Sequence, residues 1–170
     1  MKKGIKSFKY NKSIILDLDQ LKNLSKKMSA EIEKNEIFLL NGEIGGGKSQ
    51  FTRFMIRNLI EDENLKVPSP TFLICQSYEY AKLECKINHL DLYRLKSEDE
   101  LSFLDPISLL QNNINFIEWP SLLVESVTNS ENPRFSILQM LFEDVEEDEN
   151  KRKIDFSTNN QKWIQVIEEK

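Results

Sequence analysis

The stretch Gly42-Glu43-Ile44-Gly45-Gly46-Gly47-Lys48-Ser49 decides how this chain is read. Four of the five glycines in the chain fall inside it. The spacing G-x-x-x-x-G-K-[ST] is that of a Walker A phosphate loop. Its glycines, Gly42, Gly45, Gly46 and Gly47, let the backbone turn tightly and aim successive N–H groups at one point at the start of a helix. In that geometry Lys48 reaches the β- and γ-phosphates and the Ser49 hydroxyl ligates magnesium, with Gln50 following in the first helical turn of the nucleotide site. Given this composition, a chance match anywhere in the chain has odds of roughly one in a thousand, so the loop is taken as real.

A phosphate loop needs a strand before it and a helix after it, and both are legible. Ile37-Phe38-Leu39-Leu40 is a short apolar run suited to a strand buried on both faces. Phe51, Phe54, Met55 and Leu59 recur at helical spacing beyond the loop. Upstream, residues 14–16 read as a strand, and Leu21, Leu24, Met28 and Ile32 as one face of a helix. Downstream, strands are expected over 71–78, 87–92 and 114–119. A helix should start at the capping-box pattern Ser97-Glu98-Asp99-Glu100, and Pro106 should end or restart it. Residues 135–142 and 154–157 read as a C-terminal hairpin, with the acidic run 143–149 as its solvated tip. The expected fold is α/β and P-loop NTPase-like: a mixed, mostly parallel sheet flanked by helices, with antiparallel C-terminal strands. One domain over 1–170 is expected.

Bulk composition narrows the function classes. With 23 Lys and Arg against 28 Asp and Glu, the net charge is −5, which disfavours tight direct binding of nucleic acid. The exception is the lysine-dotted N-terminus, Lys2, Lys3, Lys6, Lys9 and Lys12. No apolar run approaches the roughly twenty residues of a membrane span, and no apolar segment follows those lysines as in an export signal, so a cytoplasmic protein without a membrane role is expected. Cys75 and Cys85 show no metal spacing and read as reduced thiols.

The reaction must come from acids at the carboxyl ends of other strands, where α/β sheets place their ligands. Glu118 ends the strand Ile114-Asn115-Phe116-Ile117 and fits a Walker B acid that holds magnesium; a surface strand-end carboxylate is the plain alternative. Asp91 ends the strand Ile87-Asn88-His89-Leu90 and either orients the attacking water or caps a helix. His89 reads as a structural histidine, with Asp91 two residues on facing the same side. Arg94 either neutralises phosphate, anchors Asp91, or forms a surface pair. Ser69-Pro70-Thr71 is either a loop whose hydroxyls sense the γ-phosphate or a rigid turn.

Taken in order, Gly42 to Ser49, Ser69-Pro70-Thr71-Phe72, His89-Leu90-Asp91-Leu92-Tyr93-Arg94-Leu95 and Ile117-Glu118-Trp119-Pro120 resemble the TsaE family (also called YjeE) over about residues 13–120. That family supplies the small bacterial ATPase of tRNA threonylcarbamoyladenosine biosynthesis. The resemblance implies an ATPase that needs ATP and Mg2+ and works with the TsaD and TsaB proteins. There ATP hydrolysis supports repeated transfer of threonylcarbamoyl to the adenosine at position 37 of tRNA, and tRNA is met only indirectly. By motif match, Lys48, Asp91 and Glu118 are the catalytic set, Ser49 and Glu118 the metal ligands. Ser69 and Thr71 lie near the γ-phosphate and Trp119 beside the nucleotide. Hydrolysis by the lone subunit should be slow, because no arginine finger is evident. The chain departs from the family at Ser49, where threonine is usual, at Leu21 and Ser25, where threonine and glycine are frequent, and at Asp105, where glycine is frequent.

Other classes make different demands. A small-molecule or nucleoside kinase would use Asp91 as base toward a hydroxyl, but no arginine-rich lid is present. A regulatory GTPase would carry Asn-Lys-x-Asp, which Asn11-Lys12-Ser13-Ile14 does not supply. A nucleotide-gated binding module without hydrolysis is the remaining alternative.

Overall fold

The computed structural model of the chain describes residues 8–128 and 135–169; Lys2, Lys3 and Lys6 lie outside them. Strand β1 (Tyr10–Leu16) leads into helix α1 (Leu18–Ala30). Asp17 caps that helix: its side chain accepts from Gln20 N at 2.8 Å, while Gln20 Oε1 accepts from Asp17 N at 3.0 Å. This reciprocal box satisfies two backbone donors that the first turn leaves open. Strand β2 (Glu36–Gly42) is buried over almost its whole length and delivers the glycine loop to helix α2 (Lys48–Ile60). A hairpin follows, β3 (Cys75–Tyr80) with β4 (Cys85–Asp91), then helices α3 (Glu98–Ser102) and α4 (Pro106–Leu110). Strand β5 (Ile114–Glu118), helix α5 (Val124–Thr128), strands β6 (Ser136–Asp144) and β7 (Arg152–Thr158) and helix α6 (Gln161–Glu168) complete the order.

The seven strands form one mixed sheet, ordered β1-β7-β6-β2-β5-β4-β3. Its centre is parallel, β6, β2, β5 and β4 running the same way, and antiparallel strands close both edges. This is the α/β architecture expected, with one difference of detail. Strand β6 pairs parallel to β2 and so belongs to the centre; only its partner β7 turns back. Helices cover both faces. On one side α1, α2 and α6 bury Met28, Phe51, Met55 and Trp163, and Phe38 stacks on Phe116 at 4.7 Å with Trp163 edge-on at 5.3 Å. On the other, Leu101, Leu110 and Val127 of the short helices pack on Ile37, Leu39 and Ile117.

Several local expectations are corrected. The strand read over 71–78 starts only at Cys75. Leu73 N and Ile74 N both donate to Pro70 O, and Ile74 adopts a φ of 65°, so the chain turns before it can pair. Ser97 makes no side-chain capping bond, and Glu100 accepts instead from Lys96 N at 2.8 Å, so no reciprocal box forms there. Pro106 restarts the helix after Asp105, which holds a left-handed φ of 42°. That conformation is one glycine adopts without strain, which fits the glycine that the family resemblance leads one to expect here. The strand read to 119 ends at Glu118, since Trp119 is left-handed with φ 55°. Two residues of the acidic run, Glu143 and Asp144, extend β6 and pair with Lys153 at 3.2 Å and Arg152 at 3.1 Å. Helices α5 and α6 were not read from the sequence at all.

Asn115, which interrupts an otherwise apolar strand, is explained by what it ties together. It is fully buried, and its amide donates to Leu110 O at 2.9 Å while its oxygen accepts from Asn88 Nδ2 at 2.9 Å. The two asparagines thereby fix β4, β5 and the end of α4 at the amino edge of the sheet, opposite the glycine loop.

Two features of the scaffold carry measurable consequences. Gly42 sits at φ +135°, and a Cβ built there would lie 2.5 Å from the backbone oxygen of Phe142. Gly45 also has a positive φ, +80°, but faces open space. Gly42→Ala should therefore cost on the order of 3 kcal/mol and Gly45→Ala about 1 kcal/mol in urea denaturation; equal costs would contradict the close β2–β6 approach.

The second is a buried carboxylate. Lys162 of α6 donates to Glu36 Oε1 at 2.7 Å and to Glu33 Oε2 at 2.9 Å, docking that helix onto the start of β2. Burial pushes the Glu36 carboxyl from 4.5 up to about 7 against the pull of Lys162. Burial also works against the Lys162 ammonium, but its bonds to Glu36 and Glu33 outweigh that and raise its pKa. Between 4.5 and about 7 the folded chain thus holds a proton on Glu36 that the unfolded chain releases, so this group's contribution to stability falls as pH rises through that window. Lys162 stays charged throughout. Wild type should lose on the order of 2 kcal/mol relative to Glu36→Gln between about pH 4.5 and 8, and a pH-independent difference would refute this.

Candidate functional site

Alternation along two adjacent strands brings the acids together. Residues 87, 89 and 91 of β4 and 114, 116 and 118 of β5 point to the face covered by α2, and the parallel register sets Asp91 beside Glu118. Helix α2 starts on that same face, directly after Gly47, whose φ of 110° turns the chain into the helix. The first N–H groups of a helix have no partner within it, so they open toward the same space.

Lys48 is only 4% exposed. Its ammonium donates to Gly42 O and Glu43 O, both at 2.7 Å, and lies 4.2 Å from the centre of the Trp119 ring. Burial lowers its pKa, and the nearby charges of Glu118, Asp91 and Glu43 pull it back upward. Ser49 Oγ donates to Glu118 Oε2 at 2.8 Å. The other oxygen, Glu118 Oε1, meets His89 Nε2 at 2.8 Å. Glu118 is 2% exposed and therefore not the surface carboxylate that was its plain alternative.

Asp91 is fixed by three donors. Its Oδ1 accepts from Tyr93 N at 3.0 Å, while Oδ2 accepts from Thr71 Oγ1 and from Ser69 Oγ at 3.2 Å. The two hydroxyl oxygens also lie 2.8 Å apart. The Ser69-Pro70-Thr71 segment is thus held as a turn whose hydroxyls fasten onto the β4 acid, in line with the rigid-turn alternative. The Arg94 guanidinium lies over the Phe72 ring at 4.0 Å rather than on Asp91. Trp119 bridges the two halves, with Tyr93 4.9 Å away ring to ring.

Around these groups lies a cleft of about 440 Å3, within the range of small-ligand sites. Its walls include Gly45, Gly47, Lys48, Ser49, Gln50, Ser69, Thr71, Asp91, Glu118 and Trp119. Gly42 and Gly46 face a neighbouring hollow on the other side of the loop, lined also by Asn41, Phe142 and Asp144. A smaller cavity of about 200 Å3 adjoins Gly45, Gly46, Gly47 and Gln50 and is walled by Leu16, Leu18, Leu21, Asn150, Arg152 and Ile154. Sequence reading missed Tyr93 and Arg53 as cleft residues. Arg53 was accessible: it lies three residues after Gln50 on α2, and its guanidinium donates to the Gln50 side chain. The hairpin side of the small cavity had no signal, because it is set by the pairing of β7 with β1.

A buried ammonium, an open helix start, a hydroxyl beside a carboxylate and a second held carboxylate can together receive a polyanion and a hard cation. Among the described residues no helix is long and apolar enough to cross a membrane. Residues 15–154 match the family described as "Threonylcarbamoyl adenosine biosynthesis protein TsaE", extending past the motifs into the C-terminal hairpin. The chain is 34% identical over 148 residues to the tRNA threonylcarbamoyladenosine biosynthesis protein TsaE of Rickettsia felis, covering 86% of this chain and 80% of that one. The protein of the same name from Bacillus subtilis is 27% identical over 151 residues, covering 89% and 87%. The crystal structure of Bacillus subtilis YdiB has the same fold, with a TM-score of 0.66 at 21% identity over 94% of this chain and 93% of that one. With the family match running through the glycine loop, both acids and the hairpin, this chain belongs to the TsaE family of threonylcarbamoyl adenosine biosynthesis proteins.

Proposed function

We propose that the chain is one P-loop ATPase domain, the magnesium-dependent ATP-hydrolysing subunit of the cytoplasmic system that makes threonylcarbamoyladenosine at tRNA position 37, acting with TsaD and TsaB proteins. The observation that carries this is the convergence of Lys48, Ser49, Asp91 and Glu118 on one cleft at the glycine loop. Lys48, with the loop amides, binds the phosphates, and its dehydrated ammonium gains more from an anion than a hydrated one would. Ser49 Oγ and Glu118 Oε2, 2.8 Å apart, are two hard oxygen donors that suit magnesium, whose remaining shell is normally phosphate and water. Held by these two oxygens, magnesium would supply charge neutralisation during phosphoryl transfer to water, with ADP as the leaving group. Asp91 orients the attacking water, and the hydroxyls of Ser69 and Thr71 set the direction of its carboxylate. Gln50 lies at the boundary between the cleft and the adjoining apolar cavity, which suits the nucleoside end. Trp119 packs over Lys48 and excludes water from it.

Calorimetry should show ATP binding that requires the glycine loop, with Lys48→Ala weakening it by about tenfold or more, near 1.4 kcal/mol. Unchanged ATP heat in that variant would remove the phosphate-loop assignment. Steady-state hydrolysis should be slow for the subunit alone and rise when purified TsaD and TsaB are added, with Asp91→Asn and Glu118→Ala each abolishing the rise. Rates equal with and without partners would contradict the partnership, and phosphate appearing on an added nucleoside or sugar would favour a kinase.

A further inference from the structure

The mechanism above leaves His89 unused, and it is the chain's sole histidine. It is fully buried on β4, one step before Asp91 on the same face. In register it pairs with Phe116, so its contact with Glu118 is the diagonal one across the β4–β5 ladder. Nε2 lies 2.8 Å from Glu118 Oε1. A carboxylate only accepts, so Nε2 is the donor in this contact. The other ring nitrogen, Nδ1, is buried without a hydrogen-bond partner. A position that served packing alone would be better filled by an apolar side chain, which leaves no polar atom stranded.

We infer that His89 is a positioning residue: it fixes Glu118 Oε1 so that Oε2 is presented beside Ser49 for the divalent ion. The inference rests on the nucleotide–magnesium reading above. The arrangement divides the work of one carboxylate. Ser49 Oγ meets Oε2 at 2.8 Å, and His89 holds Oε1 whichever way the Ser49 hydroxyl turns. Without the imidazole the carboxylate can rotate about its last bond, and its oxygen is no longer delivered in one place. Partners behind a metal-binding carboxylate typically matter by about 10- to 100-fold in metal affinity.

The test uses the full chain with ADP and manganese(II) as the metal probe, read by electron paramagnetic resonance, alongside ADP binding in excess EDTA. His89→Leu should weaken manganese retention by about tenfold or more while metal-free ADP binding stays at the wild-type value. His89→Gln, whose amide nitrogen can occupy the place of Nε2, should recover affinity to within about threefold of wild type. If His89→Leu does not fold, His89→Asn replaces it, since its amide matches Nδ1 and stops short of Glu118. In a Glu118→Ala background, removing His89 should cost nothing further. Wild-type manganese affinity in His89→Leu, equal losses in the Leu and Gln variants, or a parallel loss of metal-free ADP binding would each overturn the inference. Should Glu118→Ala lose manganese while His89→Leu keeps it, only the positioning role fails. Should wild type itself bind no manganese with ADP, the underlying metal assignment fails as well.

Discussion

Three charges are buried within one small volume: the Lys48 ammonium and the carboxylates of Asp91 and Glu118, each under 5% exposed. Removing a charge from water is costly unless it is paired and hydrogen-bonded, so the chain must bring partners to all three. Those partners come from three separate segments, 42–49, 69–71 and 89–93. The loop carbonyls of Gly42 and Glu43 serve Lys48, Ser49 and His89 serve Glu118, and the 69–71 turn with Tyr93 N serves Asp91. The left-handed Trp119 is part of the same solution: its backbone N–H donates to Leu40 O at 3.1 Å, and its ring is brought over the ammonium.

Topology makes this convergence possible. In a parallel set, the carboxyl ends of neighbouring strands lie at one edge, and β2, β5 and β4 each end there in a loop residue or an acid. An antiparallel neighbour would have sent its acid to the far edge. The antiparallel wings serve a different end, as β7 and β1 extend the sheet and wall the small cavity beside the loop.

What was legible in the sequence divides along the range of the interaction. The glycine loop, β2 and α2 are local, and spacing alone identified them. Asp91 and Glu118 were identifiable as strand ends, but their burial and their shared face depend on a register between strands 27 residues apart, shown by Asp91 facing Glu118. The turn at 70–74 was hidden by β-forming side chains, because Thr71 is diverted to Asp91 and Phe72 and Leu73 remain exposed. Helix α6 carried local signals, an Asn160 cap and Trp163, Val166 and Ile167 at helical spacing; only its docking is distant, with Trp163 against Phe38 and Lys162 on Glu36. His89 read as structural from its strand position, and only the β4–β5 pairing reveals what it touches.

The departures from the family pattern follow the same division. Ser49 keeps the oxygen that meets Glu118, so only a methyl group is lost. Ser25 is fully buried between α1 and α2, where Asn58 Nδ2 donates to its hydroxyl at 3.3 Å and the hydroxyl donates to Lys22 O at 2.7 Å. A side chain where relatives often have glycine is thus accommodated by a polar contact between the helices. Leu21 is different, because it is 4% exposed and also walls the cavity beside Gly45, Gly46 and Gly47. With Leu16, Leu18 and Ile154 it makes that wall carbon, where a threonine would have offered a hydroxyl. A group resting there gains by burial rather than by a hydrogen bond from α1. The polar side chains at this end of the loop are Gln50, Asp17 and, from the hairpin, Glu149, Asn150 and Arg152.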